Sequence, residues 1–219
     1  MEYLHKKIKE LGLQGIYTYV MDKNPSKYAP YHNNFHLENV CKYALMNAEE
    51  NGIDLRNQQI LATAALFHDF DHSAGVEKDD TINIGRAIEG MKSYICSLPS
   101  DEKGNSIFEF DNSEYNIILK LIKATRYPYL TDGTELSDIG KILRDSDILQ
   151  GLFCQNYING VTRAIAIEAG IPYESMLKGQ ANFITNTKYL TKWAEDKANS
   201  RIPDVLDLVE IALENYKNY

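Results

Sequence analysis

The chain is poor in the residues that staple or anchor a fold. It has three cysteines, Cys41, Cys96 and Cys154, spread far apart and none at Cys-x-x-Cys spacing. That excludes a thiolate metal knuckle and a disulfide framework, and it leaves free thiols of a reducing compartment. No apolar run is long enough to span a bilayer, and the first residues lack a signal-peptide pattern. A cytoplasmic protein with no membrane partner is expected. Basic residues are also scarce, with 23 Lys and Arg against 31 Asp and Glu and a net charge of −8. Without a cationic stripe to displace counterions, a nucleic acid polymer is excluded as a partner. A small anionic ligand remains admissible, because a bound cation inverts the local field. Alternating strand patterns, internal repeats and low-complexity segments are likewise absent.

What is present is the composition of an ordinary globule, 44% hydrophobic and 25% charged over 219 residues. The length suits one domain, residues 1–219, with a core large enough to need no staple. Most of the chain reads at helical period. After a short apolar stripe over residues 2–11, interrupted by Gly12 and Gly15, a loop over 22–30 is punctuated by Pro25 and Pro30. Helices are expected at about 32–51, closed by Asn51-Gly52, and at about 57–69, apolar nearly all round and hence central. Further helices are expected at about 80–97, 113–126 and 136–153, the last continuing past Gly151 toward Gly170. Residues 173–198 read as one long helix with a kink at Gly179, and Pro203 opens a final helix. Residues 98–112 read as an exposed loop from which Phe108 and Phe110 dock. The class is all-α, a helical bundle.

Four of the five histidines fall in two short segments, Tyr31-His32-Asn33-Asn34-Phe35-His36 and His68-Asp69-Phe70-Asp71-His72. Within each the histidines are four apart, which on a helix places them one above the other. Two such faces brought together would present imidazoles and carboxylates to one point, the arrangement that holds a divalent cation. His36, His68 and Asp69 with one later carboxylate make a usable set. Arg144-Asp145-Ser146-Asp147-Ile148 offers two candidates. Residues two apart on a helix point about 200° apart, so only one of them faces the bundle. Asp147, four after Leu143 on the apolar side, is preferred and Asp145 is the alternative. A mixed His and Asp site suits Mn, Mg, Zn or Fe, as one ion or as two bridged by Asp69. Such ions activate water and clamp phosphoryl oxygens. His32 is then more useful as a proton donor than as a ligand. His72 reads as a base or water anchor, or as a cap for the helix end.

The ordered set His36, His68-Asp69, Asp147 resembles the HD superfamily of metal-dependent phosphohydrolases, which are all-helical. Tyr31-His32-Asn33 with His36, and His68-Asp69-Phe70-Asp71-His72, are similar to the two metal signatures of the class I cyclic nucleotide phosphodiesterases. The resemblance implies an HD-domain, phosphodiesterase-like bundle with His32 as general acid. It implies His36, His68, Asp69 and Asp147 as ligands, with Asp69 bridging two metals, and His72 beside the bridging water. Gly179-Gln180-Ala181-Asn182-Phe183-Ile184 resembles that family's purine-binding segment, which implies Gln180 on the base edge and Phe183 stacked on its face. One turn apart, the two would line one wall, and an amide offers both a donor and an acceptor. The chain departs from the family in its short length, in Ser73-Ala74-Gly75-Val76 after His72, and in Arg126, where the family favours an acidic residue. No histidine follows His72, so a second metal would rest on Asp69 and water.

Tyr31 is expected to orient His32. Asn83 and Arg126 are candidate substrate contacts, Asp80 a helix cap, and Arg86 and Lys123 candidate phosphate partners. The expected activity is hydrolysis of a cyclic nucleotide, mono- or dinucleotide, by metal-activated hydroxide with His32 protonating the leaving oxygen. The alternatives are an HD phosphohydrolase acting on nucleotide monophosphates or alarmones, and a nucleotide sensor that does not cut. The oligomeric state is not legible.

Overall fold

The computed structural model describes residues 1–99, 109–129 and 131–217. Ten α-helices and no strand occur among the described residues. They are α1 (Glu2–Glu10), α2 (Gln14–Lys23), α3 (Asn34–Glu50), α4 (Leu55–Phe67), α5 (Asp80–Ser97), α6 (Asn112–Ala124), α7 (Asp138–Leu152), α8 (Ala164–Ala169), α9 (Tyr173–Asn186) and α10 (Lys192–Lys217). A π-helical stretch, Ile158–Arg163, runs directly into α8. No helix of the described residues is long and apolar enough to cross a membrane.

The core falls into two clusters that meet along α7. One is built from α1 to α6 with the first half of α7, around Leu37, Leu45, Leu61, Phe67, Met91 and Ile122. The other joins Leu149 and Leu152 of α7 to Tyr157, Leu177, Ala194 and Val205. Helix α4 is the centre of the first cluster. From Ile60 to Phe67 every residue of it is buried, and the one polar side chain there, Thr63, donates its hydroxyl to the Gln59 carbonyl at 2.9 Å. Each fully buried Leu or Phe there contributes about 1.5–3 kcal/mol from removal of its side chain from water.

Local chemistry sets the boundaries that matter for the site. Asn33 is the N-cap of α3, its side-chain oxygen accepting from the N–H groups of Phe35 at 2.9 Å and His36 at 3.2 Å. His32 therefore precedes the helix, a correction to the expected start at 32. A capping Asn three residues after Pro30 satisfies two of the orphan donors of the first turn better than a continued helix would. Helix α4 likewise stops at Phe67, and His68 holds the C-cap. His68 to Asp71 form turns and His72 is irregular, none of them helix. They are pinned by buried Phe70, which packs with Tyr19 and Phe67.

Other boundaries also differ from expectation. Residues 14–23 form a helix despite Gly15, because Ile16 and Val20 bury one turn apart. The chain breaks after Leu152, then resumes as the π-helical stretch. Residues 173–198 are two helices, broken between Asn186 and Lys192 and with Gly179 inside α9. The break is fixed by Asp145, which accepts from Leu190 N, Thr191 N and Thr191 Oγ1. Pro203 does not open a helix but lies inside α10, where Ala194, Ala198, Val205 and Val209 keep both halves docked. Helix α5 is capped by Asp79, not Asp80, through Thr81 N. Phe110 is buried as expected; Phe108 and most of the loop assigned to 98–112 lie outside the described residues.

Candidate metal centre

Four donors from three helices converge where the two core clusters meet. His36 comes from the first turn of α3, His68 and Asp69 from the end of α4, and Asp147 from the middle of α7. The Nε2 atoms of His36 and His68 are 3.1 Å apart. Asp69 Oδ2 lies 3.1 Å from His36 Nε2 and 3.2 Å from His68 Nε2. Asp147 Oδ1 lies 3.3 Å and 3.6 Å from the same two nitrogens. Ligands about 2.0–2.2 Å from one ion, at tetrahedral or octahedral angles, stand roughly 3.0–3.6 Å from each other. These separations fit that shell, and this buried group of His and Asp could hold a metal ion.

The far side of each imidazole fits as well. His68 Nδ1 donates to the Ala65 carbonyl at 2.7 Å, which turns the Nε2 lone pair inward. His36 Nδ1 lies 3.0 Å from the amide of Gln150, which also reaches the Tyr31 hydroxyl at 2.8 Å. The nitrogen, Gln150 Nε2, is the atom placed toward both; the amide turned over would set its oxygen against His36, accept from Nδ1–H and leave Nε2 of the ring to ligate. Asp145, the alternative ligand, points the other way and caps the segment before α10, as the 200° separation requires. Gln150 was not foreseen. Its signal was an amide one turn after Asp147 on a helix face that is otherwise apolar.

Electrostatics bind the four donors together without any ion. Burial would lower the His68 pKa, but the Asp69 charge and the bond to Asp147 raise it well above the usual histidine value. Burial would raise the Asp147 carboxyl, but its bonds to His36 and His68 bring it down to about 2. The raised histidine stabilises the metal-free fold fully below the ordinary value of about 6.5, and that contribution is lost as pH rises through the raised value. A metal must displace the same proton. Affinity for Mn2+ or Zn2+, measured by titration between about pH 6 and pH 8, is therefore expected to rise with pH by up to about tenfold per unit for each proton displaced. A flat profile would contradict protonated imidazoles in the empty centre.

Beside this centre sits His32. Its Nε2 is 3.9 Å from Asp69 Oδ2, and its Nδ1 is hydrogen-bonded to Glu168 Oε2. Glu168 Oε1 accepts from Tyr31 N at 2.7 Å and His32 N at 3.0 Å. One carboxylate thus fixes both the backbone and the ring of His32. Burial would raise the Glu168 pKa, but the bond to His32 holds it below the usual range. Glu168 was missed in the sequence. Its signal was a single charge in the apolar helix Ala164–Ala169.

His72 stacks on His32, centroids 3.7 Å apart and planes 26° apart, and burial pushes its pKa down to about 4. By distance alone His32, His72 and Glu168 could hold an ion. Imidazole lone pairs lie in the ring plane, so two stacked rings aim them nearly parallel instead of at one point. Ring orientation thus argues against a second metal in this trio.

A cavity of about 460 Å³ opens from Asp147 and His32, within the range of small-molecule sites. Its far wall carries Gln180 and Phe183, and Tyr31, Tyr127, Tyr129, Tyr157 and Tyr189 also line it. Among the described residues no Lys or Arg lines it, though Arg144 stacks on the ring of Tyr129 behind the wall. Gln180 Oε1 accepts from the Tyr157 hydroxyl at 2.5 Å, while its Nε2 meets only Met176 Sδ at 3.5 Å.

Three other candidates are engaged elsewhere. Asn83 Oδ1 accepts from Ser73 N at 3.0 Å and its Nδ2 donates to Asp80, so it braces the loop after His72 and does not line the cavity. Arg126 reaches Asp79 at 3.7 Å and does not line the cavity. Arg86 forms a two-pronged pair with Asp71, at 3.0 and 2.8 Å. No protein-family model matches the chain, and no curated protein matches it either.

Proposed function

We propose that the protein is a metal-dependent phosphodiesterase of HD-like fold that opens a cyclic mononucleotide. The observation that carries the reading is His32. Its Nδ1 is tied to buried Glu168 and its Nε2 is turned to the Asp69 side of the centre. It also forms part of the wall of the cavity into which Asp147 opens. His36, His68, Asp69 and Asp147 would hold a divalent ion, Mn, Mg, Zn or Fe. Bound there, it lowers the pKa of water and polarises the phosphoryl group. The chain's own part is to orient and to move a proton. Glu168 keeps the Nδ1 proton in place, so Nε2 is the atom that can deliver a proton to the departing ribose oxygen. His72, packed flat on the ring, keeps it from swinging away.

The lining supports a substrate with one phosphate. Additional phosphates need cationic partners once out of water, and among the described residues no Lys or Arg lines the cavity, Arg144 being stacked behind Tyr129. That disfavours polyphosphorylated alarmones and a second phosphodiester in a cyclic dinucleotide. Aromatic walls suit a flat base. The under-used Nε2 of Gln180 can donate to an acceptor on the base edge, and Phe183, 38% exposed, has a face to offer.

Incubation of the protein with Mn2+ and a panel of cyclic mononucleotides, cyclic dinucleotides, linear monophosphates and an alarmone tests this. A linear nucleoside monophosphate released from a cyclic mononucleotide is the expected product. Phosphate released from linear monophosphates, with cyclic substrates intact, would make the protein a phosphomonoesterase. Tight binding of a cyclic nucleotide without turnover would make it a sensor.

A further inference from the structure

The turn after the metal segment has a feature that neither the ligands nor the cavity explain. Gly75 has φ +84°, and a Cβ on it would lie 1.6 Å from the backbone oxygen of Glu168 and 2.4 Å from its carbonyl carbon. The turn is seated against the backbone of the residue that holds His32. It is fixed from behind by Asn83, which accepts from Ser73 N, by the Val76 N to Ser73 O bond at 3.2 Å, and by Ser73 Oγ, which accepts from Glu77 N at 3.1 Å. Lys78 Nζ donates to the Ala169 carbonyl at 3.3 Å on the far side of the same contact. At its other end, Ala74 N donates to His72 Nδ1 at 3.1 Å. The turn therefore touches both residues that flank His32, Glu168 through its backbone and His72 through its ring nitrogen.

We infer that the Ser73–Val76 turn is a positioning element for His32, locating Glu168 through Gly75 and His72 through Ala74. The contact joins two parts of the chain that come from separate core clusters. Only a residue without a side chain lets the turn approach α8 closely enough for the Glu168 carboxylate to reach the Tyr31 and His32 N–H groups. A methyl group at 75 must push the Glu168 backbone away, and the hydrogen bond to His32 Nδ1 is disturbed with it. The role of the pair in catalysis rests on the proposed reading; the placement of Glu168 does not.

The test follows the hydrogen-bonded His32 Nδ1 proton by NMR in the full chain, identified by its loss in Glu168→Gln. In Gly75→Ala that signal is expected to vanish or move far upfield while metal content stays at the wild-type level. Gly52→Ala is the control. Gly52 also has positive φ, +67°, but nothing within 4 Å of its Cβ, so the signal should stay. On a turned-over substrate, kcat of Gly75→Ala should fall by about 10²-fold or more, as expected when a general acid loses its orienting carboxylate. The double variant with Glu168→Gln should fall no further than either single one. An unchanged signal in folded Gly75→Ala, or losses that multiply in the double variant, would overturn the inference. Should Gly75→Ala not fold, Asn83→Ala releases the turn without adding an atom. It should shift or broaden the same signal, and an unshifted signal there overturns the inference equally. If wild-type protein cleaves nothing on the panel while the signal behaves as stated, the phosphodiesterase reading fails and the positioning role stands.

Discussion

A His36→Ala variant is expected to purify without stoichiometric metal and with no measurable hydrolysis. His36 Nε2 stands within 3.1–3.3 Å of His68, Asp69 and Asp147, a tighter set than that of His68, which is 3.6 Å from Asp147. Losing an outer partner of a ligand costs about 10–100-fold in metal affinity, and losing the ligand itself costs more. The change also removes a positive partner from between two carboxylates. Burial would lower the His36 pKa, but bonds to Asp147 and Asp69 raise it. Breaking such a buried pair costs on the order of 3 kcal/mol. Thermal unfolding of the metal-free proteins should show the variant less stable near neutral pH. A variant that keeps one equivalent of metal by elemental analysis would remove His36 from the shell.

His32→Ala should behave in the opposite sense. Its metal content should match wild type, because its ring contributes no atom to the four-donor group, and its rate should fall by about 10²–10⁴-fold, the usual weight of general acid catalysis. The loss should be smaller for a substrate whose leaving group needs no proton, such as a nitrophenyl phosphodiester. Equal losses on both substrates would mean that His32 serves binding rather than proton transfer. The pair of variants separates the two halves of the site: one removes the ion and keeps the acid, the other removes the acid and keeps the ion.

The arrangement of these residues was unevenly legible in the sequence. The donor set was readable because histidines are scarce here and four of them cluster, and because Asp145 and Asp147 cannot face the same way on one helix. The helical class was readable from periodicity, since α3, α4 and α7 bury long apolar faces. What misled was the four-residue spacing itself. His32 and His36 are not stacked on one helix, because Asn33 caps α3 between them. His68 and His72 are separated by turns that Phe70, Asp71 and Asn24 hold in place. The same side chains approach one another through tertiary contacts that spacing does not encode. Glu168 and Gln150 were invisible for a related reason. Each acts by reaching a histidine more than a hundred residues away in the chain, and neither belongs to a local motif. Pro203 shows the reverse case, a strong local stop signal overridden by the apolar face of α10.

The contrast between Asp145 and Asp147 illustrates how one helix serves two purposes. Asp145 sits among backbone donors at the start of α10 and has a raised pKa, burial outweighing its bonds to Leu190 and Thr191. Asp147, two residues on, is drawn low by imidazoles. The first organises the second core cluster and so shapes the cavity. The second faces that cavity with a charge suited to a cation.

The most direct test is hydrolysis of a cyclic mononucleotide by wild-type protein stripped of metal with a chelator and then reloaded with Mn2+. The stripped protein should leave the substrate intact, and reloading should restore release of the linear monophosphate in proportion to metal bound. Turnover by the stripped protein, or an intact substrate with the four-donor centre fully loaded, would contradict the account.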